Sequence, residues 1–275
     1  MAIRIVQSKQ NARVKELRAA LLRPPRNNPD TIGLEGLNLV TEAAQSGLRI
    51  TSVFVATGHE HLLETLRLPA SVELLSLPAE ILASAVTTEA PQPIAALAHP
   101  PTWSWESAFT ASMGQPLIVV LAGIQDPGNL GTILRSAEAF GANCAISLPG
   151  TVSHWNPKAM RASAGSVFRL PVLTATPDEC FDHLHTARIQ TIAAMAHEAT
   201  SLDQQNLALP TAFLIGSEGT GLPRELAARC DARVTIHCPG PVESLNAAVA
   251  ASILLYEASR QAHTRGDDVN DTARI

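Results

Sequence analysis

The feature that most limits what this chain can fold into is the apolar run Pro116–Ala122, PLIVVLA, followed within a few residues by a helical pattern. A run of this length built from Leu, Ile and Val reads as a strand buried on both faces, the kind found in a sheet covered by helices. Between strand and helix, Asp126, Pro127, Gly128, Asn129 and Gly131 predict a turn, with glycine supplying positive φ and the Asn side chain bonding nearby backbone. In the helix, Leu134, Ala137 and Phe140 fall near one apolar stripe, while Arg135 and Glu138 lie off it. Arg135 is therefore expected on the first turns of the helix, close to the loop. Paired with Glu138 or Asp126 it is an ordinary surface arginine; beside a loop shaped for a ligand it is a functional one.

Two later segments repeat the strand–loop–helix plan. Ala212–Ile215 reads as a short strand, GSEGTG then packs three glycines into six residues, and LPREL opens a helix with Pro223 near its first turn. Glu218 in that loop is a poor neighbour for phosphate but a good acceptor for hydroxyl, amine or arginine groups, or else a charge favoured at a helix start. In the third segment a strand over Val234–His237 leads into CPGPVESLNAAVAASILLYEAS. Ser244 fits the N-cap of the alanine-rich helix. Asn246, expected inside the first turn, is not accounted for by a cap, and two polar groups there point to a ligand.

In this order the segments resemble the SpoU/TrmH-type RNA ribose 2′-O-methyltransferases of the SPOUT superfamily. The first motif is matched by Asn129 and Arg135, the second by Gly-Ser-Glu-Gly at 216–219 and the third by Ser-Leu-Asn at 244–246, with KAMRASAGSVFRLPV at 158–172 also similar. The resemblance covers roughly Leu117–Arg260. More loosely, Asn11–Leu17, Leu34–Gly36 and Thr51–Ala56 resemble the small substrate-binding domain that many relatives carry.

The resemblance implies an α/β fold: a small N-terminal α/β substrate-binding domain, and a C-terminal SPOUT α/β domain threaded into a deep trefoil knot, against the usual rule that connections do not thread loops. It also implies S-adenosyl-methionine as cofactor, held largely by backbone, with Gly216, Ile236 and Leu245 as the positions carried over. Methyl transfer to a ribose 2′-hydroxyl would then use Arg135, whose guanidinium stays protonated and so orients and charges the nucleophile rather than acting as a free base. Asn129, Glu218, Ser244 and Asn246 would hold Arg135 and the ribose, and Arg161 would touch backbone phosphate or else form a structural ion pair. By the same likeness a homodimer is expected, and Ala247–Tyr256, apolar on nearly every side, suits a helix contacting both its own sheet and a partner.

With 275 residues, 46% of them hydrophobic, the chain is long enough for one large or two modest cores. No apolar stretch reaches the roughly 20 residues of a membrane helix, and MAIRIVQSKQNARVKEL lacks a signal-peptide core, so a cytoplasmic protein is expected. Cys144, Cys180, Cys230 and Cys238 form no CxxC pair, His154, His183, His185 and His197 form no HExxH, and no metal is expected. The net charge of −5 is awkward for an RNA partner. Locally, however, Arg4, Lys9, Arg13, Lys15, Arg18, Arg23 and Arg26 face the single acid Glu16 in the first 26 residues. Lys9, Arg13 and Lys15 are thus candidate RNA contacts, or the solvated face of a helix.

The pattern predicts a helix over 8–22 and a proline-rich loop over 23–29. Helices over 35–46, 60–66 and 79–85 alternate with strands over 52–56, 72–76 and 94–98. Residues 99–115, with Trp103 and Trp105, read as an interdomain connection, giving domains 1–105 and 106–275 with a frayed tail over 264–275. Ribosomal RNA is favoured over tRNA as substrate because of the appended N-terminal domain. A dinucleotide-binding oxidoreductase fits poorly, since the loop offers Gly-x-x-Gly rather than GxGxxG and no acid follows the next strand. A non-catalytic RNA-binding protein would keep the fold without the chemistry.

Overall fold

Apolar runs of four to eight residues, separated by turn residues and amphipathic stretches, give the chain its alternation of strands and helices. A computed structural model describes residues 3–22, 29–86, 88, 90–109, 115–242 and 244–272, with side chains as far as His263. Arg23, Arg26 and most of the expected proline-rich loop lie outside these residues. Two compact units form, Met1–Thr102 with Ser153–Arg169, and Trp103–Val152 with Leu170–Ile275. This differs from the contiguous division at residue 105: the segment 153–169 counts with the first unit because Arg169 donates to Glu42 at 2.9 Å and Ser46 at 3.0 Å.

The first unit begins with β1 (Ile3–Ile5), α1 (Ala12–Leu22), β2 (Ile32–Glu35), α2 (Leu37–Gln45) and β3 (Arg49–Ala56). A 3-10 turn over Glu60–Thr65, β4 (Glu73–Leu77), α3 (Ala79–Ala83) and β5 (Ile94–His99) complete its sheet, whose order is β1-β4-β3-β5-β2. β1, β4 and β3 run parallel, while β5 pairs antiparallel with both β3 and β2. Phe54, Leu75 and Leu97 form one core with Val14, Leu17 and Leu21 of α1 and Ile81 and Leu82 of α3. α2 packs on β2, β3 and β5 through residues outside that core, so helices cover both faces. One expectation fails here. Glu35 belongs to β2 and not to a helix, because its strand pairs with β5 sixty residues away and the helix begins only after Gly36. β1, exposed along its length with Ile3 and Ile5 alternating about Arg4, is an element the sequence reading does not include, because three residues are too few to mark a strand by pattern.

The second unit continues with α4 (Trp105–Phe109), β6 (Leu117–Ala122), α5 (Pro127–Ala139) and β7 (Cys144–Ser147), and the chain then gives α6 (Pro157–Ala162) to the first unit. It resumes with β8 (Val172–Thr174), α7 (Pro177–Thr186), β9 (Gln190–Ala194), β10 (Thr200–Ser201), β11 (Thr211–Gly216), α8 (Arg224–Arg229), β12 (Ala232–Thr235) and α9 (Ala247–Thr272). The sheet order is β10-β12-β9-β11-β6-β7-β8 and every pairing is parallel. β6 is buried at every residue, as an apolar run sandwiched between helices must be. Ile118, Val120, Cys144, Ile146 and Leu214 face Ala108 of α4, Cys180 and Leu184 of α7 and Ala227 of α8. α5 and α9 pack together, α9 also lying on β6 and β11 and α5 on β7.

Trp103 and Trp105 pack onto this second core, and Trp105 stacks on His183 with ring centroids 4.0 Å apart. α9 continues as helix to Thr272 through residues expected to fray, since each added residue extends an existing hydrogen-bond ladder. The four cysteines are free. Burial pushes the Cys144 thiol well up, and those of Cys180 and Cys230 up to about 12, which leaves them protonated and unreactive.

His154, 6% exposed beside Trp155, has its pKa lowered to about 4 by burial. The unfolded chain, with an ordinary pKa near 6.5, binds this proton first as pH falls, so stability is lost between about pH 6.5 and 4 and regained above it. Denaturant unfolding should find the protein about 2 kcal/mol less stable at pH 5 than at pH 7 from this group. A His154→Leu variant should show a correspondingly flatter dependence; an unchanged slope would remove His154 as the cause.

Candidate active site

In a parallel sheet with helices on both faces, the loops after the carboxyl ends of the strands share one edge, and ligands bind there. Ala122, Ala194, Gly216 and Thr235 end β6, β9, β11 and β12, so the loops that follow them meet. The loop after β11 folds back on itself. Gly221 N–H donates to the Ser217 carbonyl at 2.9 Å, and the hydroxyls of Ser217 and Thr220 lie 2.8 Å apart. A Cβ on Gly216 would overlap the backbone of Gly221 and Leu222, so only glycine permits this closure.

Glu218 projects from the loop as a common acceptor. Its Oε1 takes a hydrogen bond from Asn129 Nδ2 at 2.6 Å, one from Asn246 Nδ2, and one from the backbone N–H of Ala247 at 3.3 Å. Asn246 Nδ2 also donates to Asn129 Oδ1 at 3.1 Å. The last N–H belongs to the first turn of α9, where a carboxylate is favoured by orphan donors and the helix dipole. Glu218 thus serves the start of α9 and not that of α8.

Asn246 is itself the N-cap of α9: its Oδ1 accepts from the N–H groups of Ala248 at 2.9 Å and Val249 at 3.2 Å. The capping role expected of Ser244 falls instead to Asn246, because the helix starts two residues later than a Ser cap requires. The first loop is also shorter than expected. Asp126 caps α5 by accepting from Asn129 N–H at 2.9 Å, and Pro127, Gly128, Asn129 and Gly131 are already helical. The positive φ the turn needs, 74°, is at Gly123.

Arg135 therefore lies in the third turn of α5, not its first. Six residues beyond Asn129 place it about 9 Å further along the axis and about 120° around it. It is exposed, with no hydrogen-bond or ion-pair partner among the described residues, so the surface pairing with Glu138 or Asp126 does not form.

Next to the Glu218 cluster lies a cavity of about 620 Å³. Gly216, Ile236 and Leu245 all line it, as do Glu218 and Ser244; Asn129, Asn246 and Arg135 do not. Sequence reasoning missed the wall formed by Met195, His197 and Glu198 after β9, and by Leu222, His237 and Cys238. Only their place after strand ends marks them. The cavity has the size of a small-molecule site, with apolar walls from Ile215, Val234 and Leu254 and backbone groups of the glycine loop.

The family model described as the SpoU rRNA Methylase family matches residues 116–256. The chain belongs to this family. A second model, an MRM3-like substrate binding domain, matches residues 11–96. Bacillus subtilis 23S rRNA (guanosine(2553)-2′-O)-methyltransferase RlmP is 30% identical over 265 residues, covering 95% of this chain and 99% of that protein. An uncharacterized tRNA/rRNA methyltransferase of Mycolicibacterium vanbaalenii is 34% identical, over 86% of this chain and 78% of its own. Among solved structures, the SpoU methyltransferase AviRb of Streptomyces viridochromogenes in complex with AdoMet superposes with TM-score 0.80 at 28% identity, covering 92% and 98% of the two chains. An AdoMet-bound rRNA methyltransferase from Sinorhizobium meliloti gives 0.80 and 28% over 94% and 98%. Membership in this family sets aside the dinucleotide-binding oxidoreductase.

The candidate RNA contacts sit in the first unit. Arg13 donates to Glu16 at 2.8 Å and to Glu73 at 2.9 Å, and Arg4 donates to Glu73 at 3.0 Å. The basic run is therefore less positive than its sequence, because β4 carries an acid to it. Lys9, Lys15 and Arg161 are exposed and have no partner among the described residues.

Gly216→Ala should displace the loop after β11 and close the cavity. Calorimetry with S-adenosyl-methionine should then register at least a tenfold loss of affinity relative to the unaltered protein. Unchanged binding would mean that the loop relaxes around the added methyl group.

Proposed function

We propose that this SpoU-family protein transfers a methyl group from S-adenosyl-methionine to a ribose 2′-hydroxyl of ribosomal RNA, acting in the cytoplasm as a homodimer. The observation that carries this reading is the convergence of Asn129, Glu218 and Asn246 at the rim of a cavity lined by Gly216, Ile236 and Leu245. The apolar walls and exposed backbone of that cavity suit an adenosyl group. When bound, the cofactor supplies an electrophilic methyl whose bonding pair leaves with sulfur as the ribose oxygen attacks.

The chain's own residues supply position and charge. Glu218 fixes the carboxamides of Asn129 and Asn246, and fixed dipoles lower the barrier by holding reactants aligned. Arg135, cationic and without a partner among the described residues, is the group read as orienting the 2′-hydroxyl and stabilising negative charge as its proton leaves. Ser244, exposed next to the cap of α9, is read as a further contact to the ribose.

RNA is read as engaging Lys9, Lys15 and Arg161, with Arg13 contributing less because two acids already hold it. Ribosomal RNA is favoured over tRNA by the activity of the B. subtilis relative, matched over nearly its whole length. The homodimer is supported by α9, where Val249 and Tyr256, seven residues apart on one face, are 48% and 53% exposed. The knotted threading implied by the family likeness is part of the same reading. No helix among the described residues is long and apolar enough to cross a membrane.

The test is incubation with radiolabelled S-adenosyl-methionine and unmodified ribosomal RNA or tRNA, followed by nucleoside analysis. Label in a 2′-O-methylribose of ribosomal RNA is the expected result. Label only in tRNA would reassign the substrate, and cofactor binding without transfer to any RNA would leave a binding protein. Arg135→Ala should keep its fold and its affinity for S-adenosyl-methionine within about twofold, while methyl transfer falls at least a hundredfold. Turnover at the normal rate would refute the assigned role.

A further inference from the structure

One carboxylate on the cavity wall has no task in the scheme above. β9 ends at Ala194, and the loop that leads to β10 carries Glu198 into the wall beside Met195 and His197. Glu198 has φ 54°, in the left-handed region that a side chain with a Cβ rarely occupies. Such backbone strain persists where surrounding structure enforces it, and it gathers at ligand sites. The side chain is exposed and has neither a hydrogen bond nor an ion pair among the described residues.

The charge of the wall is one-sided. Its titratable groups among the described residues are His197, Glu198, Glu218, His237 and Cys238, with no lysine or arginine. Glu218 Oε1 is engaged by three N–H donors, whereas Glu198 is unengaged. Glu198 also borders a shallower cavity that includes Asp231 and Arg233. There Asp231 Oδ2 accepts from the N–H and hydroxyl of Thr191, and Arg233 Nε donates to the Ala227 carbonyl, so neither is paired with Glu198.

We infer that Glu198 is a specificity-determining residue of the cofactor cavity, whose carboxylate favours the positively charged sulfonium cofactor over the thioether that remains after transfer. This rests on the methyl-donor reading of the cavity. The sulfonium form carries one more positive charge than the thioether, and an unpaired carboxylate on the wall attracts that charge without touching the chemistry. Once the methyl has left, the attraction goes with it and the spent ligand is held less tightly. Because Glu198 is exposed, the attraction is screened by salt.

The test is isothermal titration of the unaltered protein, Glu198→Gln and Glu198→Asp with S-adenosyl-methionine and, separately, with S-adenosyl-homocysteine, at low salt and about 0.5 M salt. Glu198→Gln keeps the shape and removes the charge. It should weaken S-adenosyl-methionine about five- to tenfold and S-adenosyl-homocysteine less than about twofold. High salt should narrow the difference between ligands in the unaltered protein and leave the Gln variant unmoved, and Glu198→Asp should restore part of the discrimination. Equal weakening of both ligands, or of neither, overturns the inference while leaving the cofactor assignment standing. If the unaltered protein binds neither ligand, the methyl-donor reading fails first and this inference with it.

Discussion

A single oxygen atom, Glu218 Oε1, ties together the parts of the chain that make the candidate active site. Its donors come from α5, from the residue that caps α9 and from the first turn of α9, up to 89 residues away in sequence. A carboxylate can accept several hydrogen bonds at once, and those it makes here are charge-assisted, stronger than bonds between neutral groups. The Asn129 and Asn246 amides also bond one another, so the three side chains form a closed set whose members fix each other. Asn246 additionally satisfies two orphan N–H groups of α9. One cluster therefore positions a site and starts the helix that covers the sheet.

The cluster depends on the sheet beneath it. Seven parallel strands deliver their following loops to one edge, and β11, next to β6, brings the glycine loop beside the start of α5. Gly216 lets the backbone of the loop return on itself where any side chain would collide, which leaves a cavity and not a filled core at that edge. Parallel sheets pay for such sites with complete burial of their strands, and β6 and β7 are buried throughout.

Electrostatics divides the molecule in a way the total charge of −5 conceals. In the first unit Arg4 and Arg13 are partly neutralised by Glu73. In the second unit the cavity is lined by carboxylates and histidines without lysine or arginine among the described residues, which suits a cationic ligand and disfavours a phosphate-rich one.

Local sequence determined the elements whose cause is local. The run Leu117–Ala122 is a buried strand because nothing but an apolar interior accommodates it, and the order of the Asn129, Gly216–Gly219 and Ser244–Asn246 segments was enough to assign the family. What depended on distant partners was invisible. Glu35 is a strand residue because β5 pairs with it, Arg13 is neutralised because β4 brings Glu73 alongside, and Asn246 rather than Ser244 caps α9 because that helix starts where Glu218 anchors it. Glu198 and His197 became part of the cavity only when β9 was placed beside β11, since no pattern along the chain records which strand ends become neighbours. The sequence by itself determined the strand cores, the glycine-dependent loop and the chemical groups available; tertiary structure decided their pairing and charge balance, because hydrogen bonds and ion pairs form between neighbours in space.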